Sequence, residues 1–176
     1  MGVFDLMGPW LELHPQMPQG HEMAPPESSI GWTLASIGNN QVAIRKLRGS
    51  KMRTLGSLWD EFGAALQLPW DFAETWVALE DCLRDLSWLP ADAYVLSVVD
   101  PEVVLCDEKP EEYLALLRCL DGAGRAWSTA DVSEAALDRR AKPFHSVLHC
   151  SPYEVDHLSS RFEAANVEHE VRPVRL

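Results

Sequence analysis

Two segments with the composition of buried strands constrain the fold of this chain most strongly. Residues 94–99 (YVLSVV) and 144–150 (FHSVLHC) are rich in apolar and β-branched side chains, and residues 110–121 between them repeat leucines at helical spacing. Strands that alternate with helices are typical of parallel strand–helix–strand units. The sequence therefore predicts an α/β layered fold in which a small, mainly parallel sheet is packed by helices.

Several further elements are predicted before residue 94. Residues 9–13 suggest a short edge strand, and residues 32–37 and 41–47 flank a Gly-Asn-Asn turn, which favours a β-hairpin. Four prolines between residues 15 and 26 predict an extended segment before this hairpin. Thr54 is a candidate N-cap for a helix over 55–66, and a second helix is predicted over 74–86.

The C-terminal half continues the alternation of helices and strands. Pro110 suits the first turn of a helix over 110–121, and we expect Gly122 and Gly124 to end that helix. A short helix over 131–139, a helix over 151–165 and a terminal strand over 169–174 complete the prediction.

Acidic residues are concentrated between residues 71 and 112. This segment contains 12 acidic residues against two basic ones, a net charge of −10, and the whole chain carries −12. Such a charge repels nucleic-acid phosphates and anionic membranes, and it attracts a cationic protein surface. The segment therefore favours a basic protein partner, with no nucleic acid and no membrane; the alternative is a solvated surface without a partner.

Helical periodicity places part of this charge on one face. Over residues 74–86 the apolar side chains form one stripe, whereas Glu74, Asp81 and Asp85 cluster on the opposite side with Val77 beside them. Like charges four residues apart cost a few tenths of a kcal/mol, so helix stability does not account for this arrangement. Val77 is a candidate apolar anchor on an otherwise polar face.

Other function classes find little support in the sequence. The four cysteines form no C-x-x-C pair, which argues against a zinc knuckle or a thioredoxin-like site, and we expect buried, reduced thiols. No glycine-rich phosphate loop is present, and the six histidines are scattered. Asp81 and Asp85 leave open a metal site or an acid–base pair, but we expect a cytoplasmic protein that is not an enzyme and needs no cofactor.

A series of short motifs runs from residue 49 to residue 90. It includes Gly49, the segment 52–55, Leu-Gln-Leu-Pro at 66–69, the segment 71–83 with its A-L-x-D-C-L pattern, and D-L-x-W-L-P at 85–90. With these motifs the segment from Gly49 to Leu83 resembles the barstar family, the intracellular inhibitors of the bacterial ribonuclease barnase. Later strands and helices follow the order of the family. This implies a barstar-like domain over 41–150, an N-terminal extension over 1–40 that contributes a hairpin strand, and a C-terminal helix–strand addition over 151–176 packed on the same domain.

The resemblance implies a stoichiometric inhibitor, or immunity protein, of a basic ribonuclease. In this family the second helix plugs the nuclease active site, and the acid that matches Asp81 enters the pocket for substrate phosphate. Glu111 or Glu112 matches an acid at the start of the third helix. The residues expected to contact the partner are Asp81, Val77, Glu74, Glu80, Asp85, Arg84, Asp71, Glu111 and Glu112.

The chain also departs from the family at several positions. Ala73 and Thr75 stand where glycine and asparagine are usual, Val77 replaces an aspartate, and Glu80 replaces an aromatic residue. The change at Val77 removes a second contact carboxylate, which implies a ribonuclease other than barnase or another basic protein. A barstar-like interaction module with a non-nuclease partner is therefore the alternative function.

Overall fold

The computed structural model describes residues 11–15, 41–129 and 141–171. They form five strands, β1 (Leu11–Pro15), β2 (Val42–Arg48), β3 (Ala93–Val99), β4 (Phe144–Cys150) and β5 (His169–Val171). Four α-helices accompany them, α1 (Leu55–Leu66), α2 (Trp76–Asp85), α3 (Pro110–Ser128) and α4 (Val155–Ala165). Short 3₁₀ turns follow β2, β3 and β4.

All strand pairs among the described residues are parallel, in the order β2-β3-β4-β1-β5. The predicted α/β class with a small parallel sheet packed by helices is therefore confirmed. The predicted short strand near residue 10 exists over Leu11–Pro15, but its edge position is wrong. It lies between β4 and β5, where the fully buried Leu11 and Leu13 contribute to the core.

Several other predictions concern the ends of elements. The helix over 55–66 with Thr54 as its N-cap is confirmed, and so is the strand over 144–150. Strand β2 matches the second arm of the predicted hairpin. The first arm at 32–37, the turn, the proline-containing segment, the helix over 131–139 and the strand beyond Val171 lie outside the described residues.

One face of the sheet carries the main hydrophobic core. Because side chains alternate along a strand, Leu47, Leu96 and Leu148 lie on the face against which the helices pack. The helices contribute Leu58, Phe62, Leu79, Leu83, Leu117, Leu120, Leu158 and Phe162. Residues of α4, in the C-terminal part of the chain, thus belong to the same core as α1, α2 and α3.

The opposite face of the sheet has a mixed and partly titratable lining. A small apolar cluster of Val95 and Val147 lies there, beside the buried side chains of Glu12, His145 and His149. His145 Nδ1 lies 3.5 Å from a Glu12 carboxylate oxygen. This face is therefore buried without being purely apolar.

Two contacts fix the end of β2, one to the middle of α1 and one to the end of β3. Glu61, buried on α1, accepts hydrogen bonds from the Arg48 backbone N–H at 3.0 Å and from its guanidinium at 2.8 and 2.7 Å. These guanidinium bonds hold the pKa of Glu61 below its ordinary value despite burial. Gly49 follows directly, and a Cβ atom there would lie 1.9 Å from the Asp100 carbonyl oxygen. Only glycine permits this approach of the two strand ends.

The buried His149 predicts a pH dependence of stability. Burial, with smaller contributions from the charges of His14 and Lys46, lowers the pKa of His149 to about 4. In the unfolded chain His149 is protonated near pH 6.5, whereas in the folded chain it is protonated only near pH 4. The free energy of unfolding therefore decreases as the pH drops through this window. We expect His149→Gln to flatten the dependence of the unfolding free energy on pH between 6.5 and 5 in urea titrations. Equal slopes in wild type and His149→Gln would contradict the assignment.

Candidate functional site

Helix α2 begins two residues later than the sequence predicted. Thr75 is its N-cap, with a side-chain oxygen that accepts a hydrogen bond from the Ala78 backbone N–H at 3.2 Å. Glu74 precedes the cap in a left-handed conformation with φ of 40°. The helical-face assignment of Glu74 is therefore wrong, because Glu74 is exposed but does not belong to the helix. A threonine cap competes with helix propagation on its N-terminal side, and this outweighed the periodicity.

The phase of α2 over its remaining length is as predicted. Leu79 and Leu83 are fully buried in the core. Val77, Asp81 and Asp85 follow one another at intervals of four residues on the exposed side. Val77 is 71% exposed and is one of four large hydrophobic side chains that are exposed among the described residues. We call these three residues, together with Asp71 in the preceding turn, the acidic face.

Helix α3 braces α2 near both ends. The Trp76 indole N–H donates a hydrogen bond to a Glu112 carboxylate oxygen at 2.8 Å, and the Trp127 indole N–H donates one to the Leu83 carbonyl oxygen at 2.8 Å. Trp127 lies beyond Gly122 and Gly124, so the prediction that these glycines end the helix is wrong. The helix runs to Ser128 because Ala123 and Trp127 continue its buried stripe. The acidic face is thus presented on a helix held in one orientation.

Gly122 of α3 faces the end of the Glu80 side chain of α2. A Cβ atom at this position would lie 2.7 Å from a Glu80 carboxylate oxygen. Glu80 in turn forms an ion pair with Arg84 at 2.5 Å, one helical turn later. Glu80 and Arg84 therefore form an ion pair within α2, beside Gly122 of α3. Their charges largely neutralise each other and are not part of the acidic face.

A tight turn before α2 presents two further residues. The Phe72 backbone N–H donates to the Pro69 carbonyl oxygen at 3.0 Å, which places Trp70 and Asp71 at the two corner positions. Phe72 packs edge-on against Trp59 with ring centroids 6.0 Å apart, so the turn is anchored on the core. Trp70 is 98% exposed, the largest exposed fraction among the hydrophobic residues described. Trp70 is not among the site residues predicted from the sequence, although an aromatic residue between Pro69 and Asp71 is a detectable signal.

The turn lies close to the acidic face of α2. Burial, followed by the charges of Asp85, Asp81 and Asp71, raises the pKa of the Cys82 thiol above its ordinary value. These three carboxylates therefore act on one point of the helix. Within the described part of the chain, Asp71 and Asp81 make no ion pair or hydrogen bond through their side chains, whereas Asp85 accepts one from Ser87 at 3.1 Å. Their charge is available to a partner.

Many other acidic residues of the segment 71–112 have structural roles. Asp107 binds the Arg53 guanidinium through two contacts of 2.8 Å, and Glu108 accepts a hydrogen bond from the Leu55 backbone N–H at the start of α1. Asp92 accepts one from the Gln41 backbone N–H at 2.9 Å. Glu112 holds Trp76, whereas Glu111 is exposed in the first turn of α3. The net charge of the segment therefore overstates the charge of the candidate site.

Two other sequence predictions can be compared with the described residues. Cys119 and Cys150 are buried free thiols, but Cys82 is half-buried and Cys106 is exposed, so the expectation of burial is wrong for Cys106. Cys106 lies in the turn after β3, where its neighbours Val104 and Leu105 fill the apolar positions instead. In the parts of the chain that the structure covers, no three His, Cys, Asp or Glu side chains are grouped to hold a metal ion. The covered helices also include none with the length and apolar character of a membrane span.

Comparison with known proteins identifies a family. The family model described as barstar (barnase inhibitor) matches residues 42–149, the segment from β2 to β4 that contains α1, α2 and α3. No curated protein matches the chain. Strand β1 and the α4–β5 segment lie outside the matched range, although they share the sheet and the core with it.

Proposed function

The chain belongs to the barstar family, and we propose that it is a stoichiometric inhibitor of a basic ribonuclease, which acts in the cytoplasm as an immunity protein. In this proposal the acidic face of α2 covers the active site of the nuclease, and the Asp81 carboxylate occupies the pocket that binds a substrate phosphate. The family supports a barnase-inhibitor-like role in protein interaction.

The observation that carries the proposal is the environment of Asp81. This carboxylate is exposed on a helix whose buried side and two ends are fixed by the core and by α3. Among the described residues no cation pairs with it, so no internal ion pair must be broken before a partner binds. The helix backbone that carries this carboxylate is preorganised, so little backbone entropy is lost on binding, which favours affinity.

The chemistry of a ribonuclease active site complements this arrangement. A site that binds and cleaves a phosphodiester offers cationic groups and hydrogen-bond donors to an anion. Asp81 supplies the anion, and Asp71 and Asp85 add negative charge around it. Desolvated ion pairs at the centre then resist dissociation, while the surrounding charges accelerate encounter.

Competition with inorganic phosphate tests the proposal. Barnase and a panel of purified basic microbial ribonucleases are the probes, and binding of the full chain is measured by surface plasmon resonance. Phosphate should raise the apparent Kd in proportion to its concentration, whereas chloride of matched ionic strength should raise it less. If phosphate and chloride weaken binding equally, the contact lies outside the phosphate pocket, and this result would contradict the proposal.

The association rate should depend strongly on salt. Because exposed carboxylates steer a cationic partner over distances comparable to the Debye length, which is about 10 Å at 0.1 M salt, added salt screens the attraction. We expect the association rate constant to fall about tenfold or more between about 0.03 and 0.3 M sodium chloride, with a much smaller change in the dissociation rate. Stopped-flow tryptophan fluorescence measures both constants. An association rate that is independent of salt would contradict electrostatic steering by the acidic face.

One observation favours a second candidate function, that of a barstar-like module with a non-nuclease partner. Val77 stands where the family resemblance implies an aspartate, and it is 71% exposed at the start of the acidic face. An apolar residue there suits a partner surface that is less uniformly cationic than a nuclease active site. Binding to a basic protein without nuclease activity, at an affinity that exceeds that for every ribonuclease of the panel, would support this alternative.

A further inference from the structure

The turn Pro69–Phe72 carries an exposed aromatic residue and an exposed acid at adjacent positions, and neither belongs to the hydrophobic core. Trp70 is 98% exposed. In the described part of the chain it makes no ring contact, hydrogen bond or ion pair, whereas the other tryptophans described, Trp59, Trp76, Trp88 and Trp127, all have at least half-buried side chains or hydrogen-bonded indoles. A fully exposed tryptophan is uncommon on a soluble domain, and tryptophan is enriched among the residues that dominate binding energy.

The turn is rigid enough to act as a preformed contact. Its hydrogen bond from Phe72 to Pro69 closes it, and the Phe72 ring is packed against Trp59. On its N-terminal side, the Trp88 indole N–H donates to the Leu66 carbonyl oxygen at 3.0 Å. Both ends of the loop between α1 and α2 are therefore tied to the core, so a ligand of Trp70 would not have to order a mobile segment.

The charge around Trp70 selects the chemistry of its ligand. Asp71 is its direct neighbour at the second corner of the turn, and the Asp71 side chain is exposed and makes no ion pair or hydrogen bond with the described residues. A negative potential at the electron-rich face of an indole favours a cation over an apolar group. A guanidinium suits this pair better than an ammonium, because it stacks flat on an aromatic ring and at the same time forms directional hydrogen bonds with a carboxylate.

We propose that Trp70 and Asp71 form a second contact point on the acidic face, which takes an arginine side chain of the partner ribonuclease by stacking on the indole and pairing with the carboxylate. The inference rests on the proposed function for the identity of the partner, and it adds a requirement to it. The partner carries an arginine at the rim of its active site, outside the phosphate pocket that Asp81 fills. Trp70 then contributes to the choice between related ribonucleases.

Substitutions at Trp70 distinguish a cation–π contact from simple apolar burial. Against the ribonuclease of the panel that binds most tightly, Trp70→Ala should raise Kd about 30-fold, mainly through faster dissociation. Trp70→Phe keeps an aromatic face and should stay within about fivefold of wild type. Trp70→Leu keeps apolar area but no π system and should resemble Trp70→Ala. Because the side chain is exposed, all three variants should keep the wild-type melting temperature.

The outcomes separate this inference from the proposed function. A Trp70→Ala variant that binds as tightly as wild type, while Asp81→Ala binds weakly, overturns the second contact and leaves the inhibitor role intact. A Trp70→Leu variant that binds as tightly as Trp70→Phe overturns the arginine assignment. Failure of the wild-type chain to bind any ribonuclease of the panel overturns the proposed function itself.

Discussion

Replacing Asp81 by alanine is expected to raise the Kd for the inhibited ribonuclease between about 30-fold and several thousand-fold. Removing one partner of a desolvated, hydrogen-bonded charge pair costs about 2–5 kcal/mol, a general range to which the barnase–barstar complex itself contributes. The loss is large because the cationic groups of the nuclease pocket would remain buried without their anion. Titration calorimetry or surface plasmon resonance measures the change.

Two variants control this experiment. Asp81→Asn keeps the shape of the side chain and removes its charge, so it should approach Asp81→Ala in effect. Glu163→Ala removes the same charge from the exposed surface of α4 and should change Kd only a few-fold. All three should unfold within about 0.5 kcal/mol of wild type because both acids are exposed. Equal losses from Asp81→Ala and Glu163→Ala would show that only net charge matters.

Replacing Trp127 by alanine is expected to cost about 3–5 kcal/mol of unfolding free energy. Trp127 is 2% exposed, its ring lies 4.9 Å from that of Tyr94, and its indole N–H holds the Leu83 carbonyl oxygen of α2. The substitution thus leaves a cavity and an unsatisfied carbonyl at once. Urea or guanidinium titration followed by circular dichroism measures the change.

The matched control is another tryptophan of the same chain. Trp70→Ala removes an identical side chain that is 98% exposed, and it should change the unfolding free energy by no more than about 0.5 kcal/mol. Should Trp127→Ala fail to fold, Trp127→Phe still tests the assignment, since it keeps most of the packing and loses the hydrogen bond at a cost of about 1–3 kcal/mol. Losses that are equal at positions 70 and 127 would contradict the bracing of α2 by α3.

The strands and helices with one dominant signal could be predicted from the sequence. Helix α1 combines a capping threonine with apolar residues at helical spacing, and β4 contains Phe144, Val147 and Leu148 in one short run, so local and tertiary preferences agree at both. The position of β1 could not be predicted in this way. The local sequence indicates that a strand is present. Its position between β4 and β5 depends on packing with distant parts of the chain, which no local pattern contains.

The predicted helix ends were wrong where tertiary contacts override local preference. Gly122 is a helix-ending residue by propensity, yet α3 continues through it because Ala123 and Trp127 extend the buried stripe beyond it. Conversely, the acid at position 74 fits the periodicity of α2 but stands before the cap. For the candidate site, phase alone correctly placed Val77, Asp81 and Asp85 together. It could not reveal that Glu80, Asp92, Asp107, Glu108 and Glu112 are bound within the fold.

Titration of ribonuclease activity tests the central claim most directly. A fixed concentration of the most tightly bound ribonuclease of the panel, well above Kd, is mixed with increasing amounts of the full chain, and cleavage of a fluorogenic oligoribonucleotide is followed. For wild type, the account predicts that activity falls linearly with added chain and that the loss ends near one equivalent. In a second titration the nuclease is held below the Kd of Asp81→Asn, and one equivalent of that variant should then cause no loss of activity. Full nuclease activity in the presence of several equivalents of wild-type chain, or equal inhibition by the two proteins at that low concentration, would contradict it.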